Sequence, residues 1–188
     1  MALVNQKNYS VEDTAIEITD IQAVLKKTVT TQEPQVPFPQ ADSFERVINI
    51  CELLNERELS RNNITEQYAF DERQTNYYTD AARYLGLLEK RNDGRMPIYR
   101  LSEKGRQILR LNYKQRQLAY CDLILSHKVF GDVLRKCLEN GRMPLTGDII
   151  QIMKASNLYK VESDNTFERR SSTVKGWLNW ILGLVNIE

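Results

Sequence analysis

The sequence predicts a mainly α-helical chain with short β-hairpin wings, organised as two consecutive winged helix-turn-helix units. Three observations lead there. Apolar residues recur at three- and four-residue spacing through most of the 188 residues. Capping and stop residues cut that pattern into separate helices. One stretch, LLEKRNDGRMPIYRLS, reads instead as a hairpin placed directly after a long helix.

Residues 1–41 read as an irregular lead-in and linker. Ile16, Ile18 and Ile21 suit a short strand or helix, and the three prolines of TTQEPQVPFPQ hold the chain extended. A first unit is expected over residues 42–112. Asp42 or Ser43 caps a helix carrying Phe44, Val47, Ile48, Cys51 and Leu54. Ser60 opens a short helix with Ile64, Gln67 and Tyr68. After the step Ala69-Phe70-Asp71-Glu72, a longer helix capped by Asp71 turns Tyr78, Ala81, Ala82 and Leu85 inward and stops at Gly86. Leu87–Lys90 and Ile98–Leu101 then pair around Asn92-Asp93-Gly94, and Ser102 caps the next helix.

A second unit is expected over residues 113–188. Two helices carry Leu118, Cys121, Leu123, Ile124 and Leu125, then Phe130, Val133, Leu134, Cys137 and Leu138, the second closed by Asn140-Gly141. A short helix follows from Leu145–Asp148 with Ile149, Ile152 and Met153. The turn VESDN leads into a long helix bearing Phe167, Val174, Trp177, Leu178 and Ile181, stopped at Gly183, with LVNIE left as a single strand. The order of the first unit recurs, its wing cut short.

Composition narrows the function classes. No apolar run approaches the roughly 20 residues of a membrane span, and the N-terminus lacks a signal-peptide pattern, so cytoplasmic residence is expected. The three cysteines, Cys51, Cys121 and Cys137, show no CxxC spacing and sit among apolar residues, which favours reduced core thiols over a zinc site. Net charge is only +1, but it is unevenly spread. Residues 1–56 hold 4 basic and 9 acidic side chains, residues 57–116 hold 13 and 8, and residues 117–188 hold 9 and 8. An acidic start and a basic middle point to a polyanion as partner of the first unit.

In a helix-turn-helix the second helix enters the major groove with its N-terminal half on base edges. Here the inward stripe turns Arg73, Gln74, Asn76 and Tyr77 outward, with Asp80 beside them. Arg suits guanine, Gln or Asn suits adenine, and an aromatic edge suits the thymine methyl. Asp71 and Glu72 oppose phosphate unless one serves as a cap. On the hairpin, Lys90, Arg91, Arg95 and Arg100 fall within eleven residues and suit phosphates or the minor groove; the same charges also protect a strand edge. The last helix offers Arg169, Arg170, Thr173 and Lys175. Trp177 belongs to the apolar stripe.

No catalysis is expected from this chain. His127, the one histidine, reads as a cap or surface residue at a helix junction. There is no Gly-rich phosphate loop, no GxSxG and no acidic-x-Lys strand; catalytic residues, metal ligands and cofactors are all expected to be none.

Four runs, PFPQADSFERVINICELL, FDERQTNYYTDAARYLGLLE, YRLSEKGRQIL and FERRSSTVKGWLNWILGL, resemble a paired winged-helix domain of bacterial restriction-modification systems. That domain occurs fused to type II restriction endonucleases and as a free-standing protein. The resemblance covers about residues 36–185, with F-x-x-R-Q-x-x-Y-Y and R-R-x-S-T-V-x-x-W-L as its most specific runs. It implies recognition of a double-stranded DNA target, with cleavage supplied by a nuclease domain or subunit elsewhere. By motif it implies DNA-facing positions at Arg73, Gln74, Tyr77, Arg169, Arg170 and Thr173, and fold-holding ones at Tyr78, Leu85, Val174 and Trp177. The chain then reads as a stand-alone member or as the recognition part of a longer enzyme. A protein-interaction adaptor or transcriptional regulator is the alternative, since winged helices also dock proteins.

Overall fold

The computed structural model describes residues 14–68 and 71–185. Of the strand or helix expected within the lead-in, residues 18–27 take the helix. They form helix α1 (Ile18–Lys27), which buries Ile21 and Leu25 on one side. Its first turn is closed by Asp20, whose carboxylate accepts the Glu17 N–H at 3.0 Å. The same carboxylate meets the Lys114 ammonium at 2.8 Å. Backbone and ammonium together hold the Asp20 carboxyl below its usual range.

Residues 28–43 form no helix or strand and bend at residues 35–36; residues 29–32 are exposed, but the later part of the segment is packed into the fold. Phe38 is fully buried, stacked on Phe130 at 5.6 Å and edge-on to Tyr84 at 5.5 Å. Burying one such ring is worth roughly 1.5–3 kcal/mol. The strap's backbone groups are also satisfied at long range. Thr31 N–H donates to the Ser126 carbonyl at 2.8 Å, Ala41 N–H to Thr173 Oγ1 at 3.0 Å, and Trp177 Nε1–H to the Ala41 carbonyl at 2.6 Å.

The first half follows its local signals closely. Helix α2 (Phe44–Leu53) starts after Ser43 and buries Phe44, Val47, Ile50 and Cys51. Strand β1 (Leu59–Ser60) precedes helix α3 (Arg61–Tyr68), whose Ser60 caps the Asn63 N–H at 3.3 Å. Ala69 and Phe70 lie outside the described residues. Helix α4 (Glu72–Tyr84) is capped by Asp71, which accepts the Gln74 N–H at 2.7 Å, and Gly86 leaves it at φ +71°. Strands β2 (Leu88–Asp93) and β3 (Met96–Leu101) pair antiparallel with Lys90 opposite Tyr99 and Arg91 opposite Ile98. The turn falls at Gly94-Arg95, one residue later than the sequence pattern centres it, because Asp93 pairs with Met96 and extends both strands. β1 adds to β3, so the sheet order is β1-β3-β2. Ser102 caps helix α5 (Glu103–Leu109).

The second half is helical: α6 (Tyr113–Leu125), α7 (Lys128–Asn140), α8 (Thr146–Lys154) and α9 (Asp164–Gly183). Gly141 at φ +65° ends α7, and Ser163 caps α9. Of the expected terminal strand LVNIE, Val185 makes one parallel bridge to Ile16, and residues 186–188 lie outside the described residues. The chain is thus mainly helical with one small three-stranded antiparallel sheet, placed in its first half.

Both halves share one cluster of buried residues. At its centre Trp177 stacks on Phe130 at 5.1 Å and meets Phe44 edge-on at 5.2 Å. Tyr78, Leu85, Val174 and Trp177 are all buried. So are the three cysteines, all free thiols, and burial pushes Cys51 and Cys121 up to about 12. His127 is buried as well, so of the two expected placements the surface one fails and the cap position holds. It occupies the N-cap position of α7 without a side-chain cap bond, stacks on Tyr84 at 4.1 Å and meets Glu33 at 3.4 Å. The strap, by carrying Glu33 over it, removes it from solvent. No described helix is long and apolar enough to cross a membrane.

Candidate nucleic-acid interface

Helix α4 is held from below by Thr75, Tyr78, Thr79, Ala81 and Ala82, all buried. That leaves the opposite side of its first turns to solvent. Arg73 is exposed there, its guanidinium 5.4 Å over the Tyr77 ring and hydrogen-bonded through Nε to the Tyr77 hydroxyl. Gln74, Asn76 and Tyr77 are half-buried beside it. The two carboxylates at the helix start are both engaged. Asp71 is the cap, and Glu72 lies 3.6 Å from Arg61. Their charge is therefore partly spent on the helix N-terminus and a neighbour, where it is favourable. Asp80 pairs with Arg83 at 2.8 Å.

Helix α9 separates the four residues expected to face outward. Arg169 is exposed. Arg170 is not: it turns back to donate to the Phe38 carbonyl, and burial lowers its guanidinium below the usual range. Thr173 is only 1% exposed and accepts the Ala41 N–H. Both therefore hold the strap rather than facing a ligand. The motif places them on a helix face that would be free if the strap did not cover it. Lys175 is half-buried and donates to Thr146 Oγ1 at 2.6 Å.

Between α4 and α9 lies a groove of about 780 Å³. Gln74 and Tyr77 line one wall and Ser172, Lys175 and Asn179 the other, with Asp42 and Arg46 at the start of α2 below. The fold thus brings Gln74, Tyr77 and Lys175 together, and Arg169 borders an adjoining depression with Gln40 and Asp42. Gly176 is what lets α9 come so near. A Cβ there would overlap the Asp42 carbonyl oxygen and lie 3.0 Å from its carbon.

The hairpin stands apart from this groove. Arg91 pairs with Glu58, which raises the guanidinium's affinity for its proton and lowers the carboxyl's. Arg100 pairs with Glu89 at 2.7 Å. Lys90 lies 6.0 Å from the Tyr99 ring centre. Arg95, at the turn, is exposed and has no partner among the described residues. Half of the hairpin's basic side chains are thus matched by carboxylates.

A family model matches residues 46–186, which takes in α4, the hairpin and all but the start of the groove. The chain belongs to the family described as Domain of unknown function (DUF7226). No curated protein and no solved structure matches it.

Within the DUF7226 match, sequence reasoning missed Arg46, Ser172, Gly176 and Asn179 as groove residues. Only Gly176 carried a signal, since a glycine in a helix interior marks close backbone approach. Arg46, Ser172 and Asn179 look like any solvated helix positions until α2 and α9 are brought together. Among the described residues, no group of three or more His, Cys, Asp or Glu side chains converges as a metal site.

Proposed function

We propose that this DUF7226 chain is a sequence-specific double-stranded DNA-binding module built on two winged helix-turn-helix units. The first spans residues 42–112, with α2, β1, α3, α4, the β2–β3 hairpin and α5, and the second spans residues 113–188, with α6, α7, α8 and α9. The first reading is supported by element order and by β1 pairing with β3. The second is supported by helix order alone.

The observation that carries the DNA reading is the outward side of α4's first turns, where Arg73 is exposed and Gln74, Asn76 and Tyr77 are half-buried. A helix fixed by its buried stripe offers Arg73, Gln74, Asn76 and Tyr77 from its N-terminal half, while α9 adds Arg169 and Lys175 next to the same face. These side chains carry the donors and acceptors that base edges and phosphates require. Lys90, Arg91 and Arg95 suit phosphates from the hairpin. Placement in a restriction-modification system, with a nuclease domain or subunit as partner, rests on the sequence resemblance alone.

The test is selection of bound duplexes from a random pool, followed by binding of Arg73→Ala. The substitution should cost about 1–3 kcal/mol at one base pair and relax preference there. Absence of any duplex binding at low salt sinks the proposal. The second reading, a protein-interaction adaptor, is favoured by the pairing of Arg91 with Glu58 and Arg100 with Glu89, which leaves the hairpin less basic than its sequence. It requires a complex insensitive to nucleic acid and weakly sensitive to salt.

A further inference from the structure

The two sides of α4 differ in what they face. Arg73 and Asn76 stand opposite the buried stripe of Tyr78, Thr79 and Ala82, whereas Gln74 sits on the flank and lines the groove against α9. A helix seated in the major groove is bordered by the sugar-phosphate ridges of the two strands, so a channel running beside such a helix is where a ridge must pass.

The channel has the chemistry for that. Arg46 and Lys175 lie in it and Arg169 stands at its end, against the single carboxylate of Asp42. Asp42 already accepts the Tyr78 hydroxyl at 3.2 Å. Gln74 and Asn179 add neutral amide donors suited to phosphate oxygens. Lys175 gives one of its three donors to Thr146 and keeps the others. Ser172, Gly176 and Asn179 fall on one stripe of α9 and are short, so the channel stays open along that helix. From Ser172 to Asn179 the helix rises about 10 Å, room for about two successive phosphates of one strand, since these advance obliquely around the duplex as well as along its axis. Its walls are preset, because Gly176 seats α9 on the Asp42 backbone and Trp177 and Thr173 bond to Ala41.

We propose that the groove between α4 and α9 seats the phosphodiester backbone of one DNA strand, with Arg46, Lys175, Asn179 and Gln74 as its contacts. This rests on the DNA-binding reading above. It moves Gln74 from reading adenine to positioning phosphate, and leaves base readout on α4 to Arg73 and Asn76.

Fluorescence anisotropy on a selected duplex and a scrambled duplex of equal length, across a salt series, tests it. Arg46→Ala should weaken both duplexes by the same factor and reduce the slope of log affinity against log salt by about one. Asn179→Glu should weaken both by about tenfold or more, since it sets a charge against phosphate. Asn179 is exposed and has no hydrogen-bond partner among the described residues, so this second variant leaves the fold untouched. Gln74→Ala should weaken both duplexes equally, with preference unchanged. If Arg46→Ala and Asn179→Glu both bind as the wild type does, or if Gln74→Ala alters preference at one base pair, the backbone does not lie in the groove. A wild-type protein that binds neither duplex overturns the DNA reading itself, and the groove assignment with it.

Discussion

Gly176→Ala puts the seam between the strap and α9 under a direct test, because two physical effects pull in opposite directions there. In a helix interior, exchanging glycine for alanine ordinarily stabilises by about 0.8–1.0 kcal/mol. At this position the new Cβ overlaps the Asp42 carbonyl oxygen and lies 3.0 Å from its carbon and 3.3 Å from its Cα. Carbon atoms rest about 3.5–4.0 Å apart, so backbone must retreat by several tenths of an ångström at least. Such overpacking costs about 1–3 kcal/mol. The retreating segment also carries Ala41, whose N–H and carbonyl bond to Thr173 and Trp177. Weakening either buried bond adds about 1–3 kcal/mol. The clash and the lost bonding outweigh the helix gain, for a net loss of about 1–5 kcal/mol against a total of roughly 5–15 kcal/mol. Urea titration followed by tryptophan fluorescence reads this well, since Trp177 and Trp180 both lie near the seam. The midpoint should fall with little change in slope. Gly147→Ala is the control: it lies in a helix with nothing within 4 Å of the added Cβ and should be neutral or slightly stabilising. A Gly176→Ala variant as stable as the wild type would refute the close seating of α9.

Three further outcomes follow from the same geometry. Thr173→Val keeps the shape but strands the buried Ala41 N–H, so it should cost about 1–3 kcal/mol in the urea midpoint while leaving DNA sequence preference intact in anisotropy. Glu58→Gln releases Arg91 from its partner, so every duplex should bind more tightly with a steeper salt dependence; unchanged binding means the hairpin does not touch DNA. Cys51 and Cys121 are buried, with thiols pushed up to about 12, so both access and ionisation oppose reaction and mass spectrometry after alkylation should find them unmodified until urea is added.

Much of the fold was legible because its signals are local. Asp71, Ser102 and Ser163 each cap the residue three positions on, and Gly86 and Gly141 adopt the left-handed turn that ends a helix. Each needs information from only a few neighbouring residues. The strap was not legible in that way. Pro37 and Pro39 keep helix out of this segment, but whether it lies in water or in a core depends on Tyr84, Phe130 and Thr173, far along the sequence. The same gap explains the site. Arg73, Gln74 and Tyr77 were placed by the period of their own helix. Arg170 and Thr173 follow the same logic on α9, yet they face the strap because the partner that covers them is 132 residues away. Helical period predicts which side of a helix differs from the rest; it does not predict what a distant segment later lays on that side.

That distant segment also decides how rigidly the two halves of the chain are held. Two halves joined only by a tether would each lose orientational freedom on binding a ligand that spans them. Here the strap runs over both halves, with Phe38 between Tyr84 of α4 and Phe130 of α7, and Ala41 bonded to α9. α4 and α9 are consequently presented at one separation, and the groove between them exists before any ligand arrives. Its width is set by a glycine and a strand of backbone rather than by long side chains that must first be ordered. A polyanion entering it meets fixed walls, so the cost of shaping the site falls on folding and not on binding. Stability of the strap and the shape of the groove are thereby coupled through the same few residues, Gly176 foremost among them.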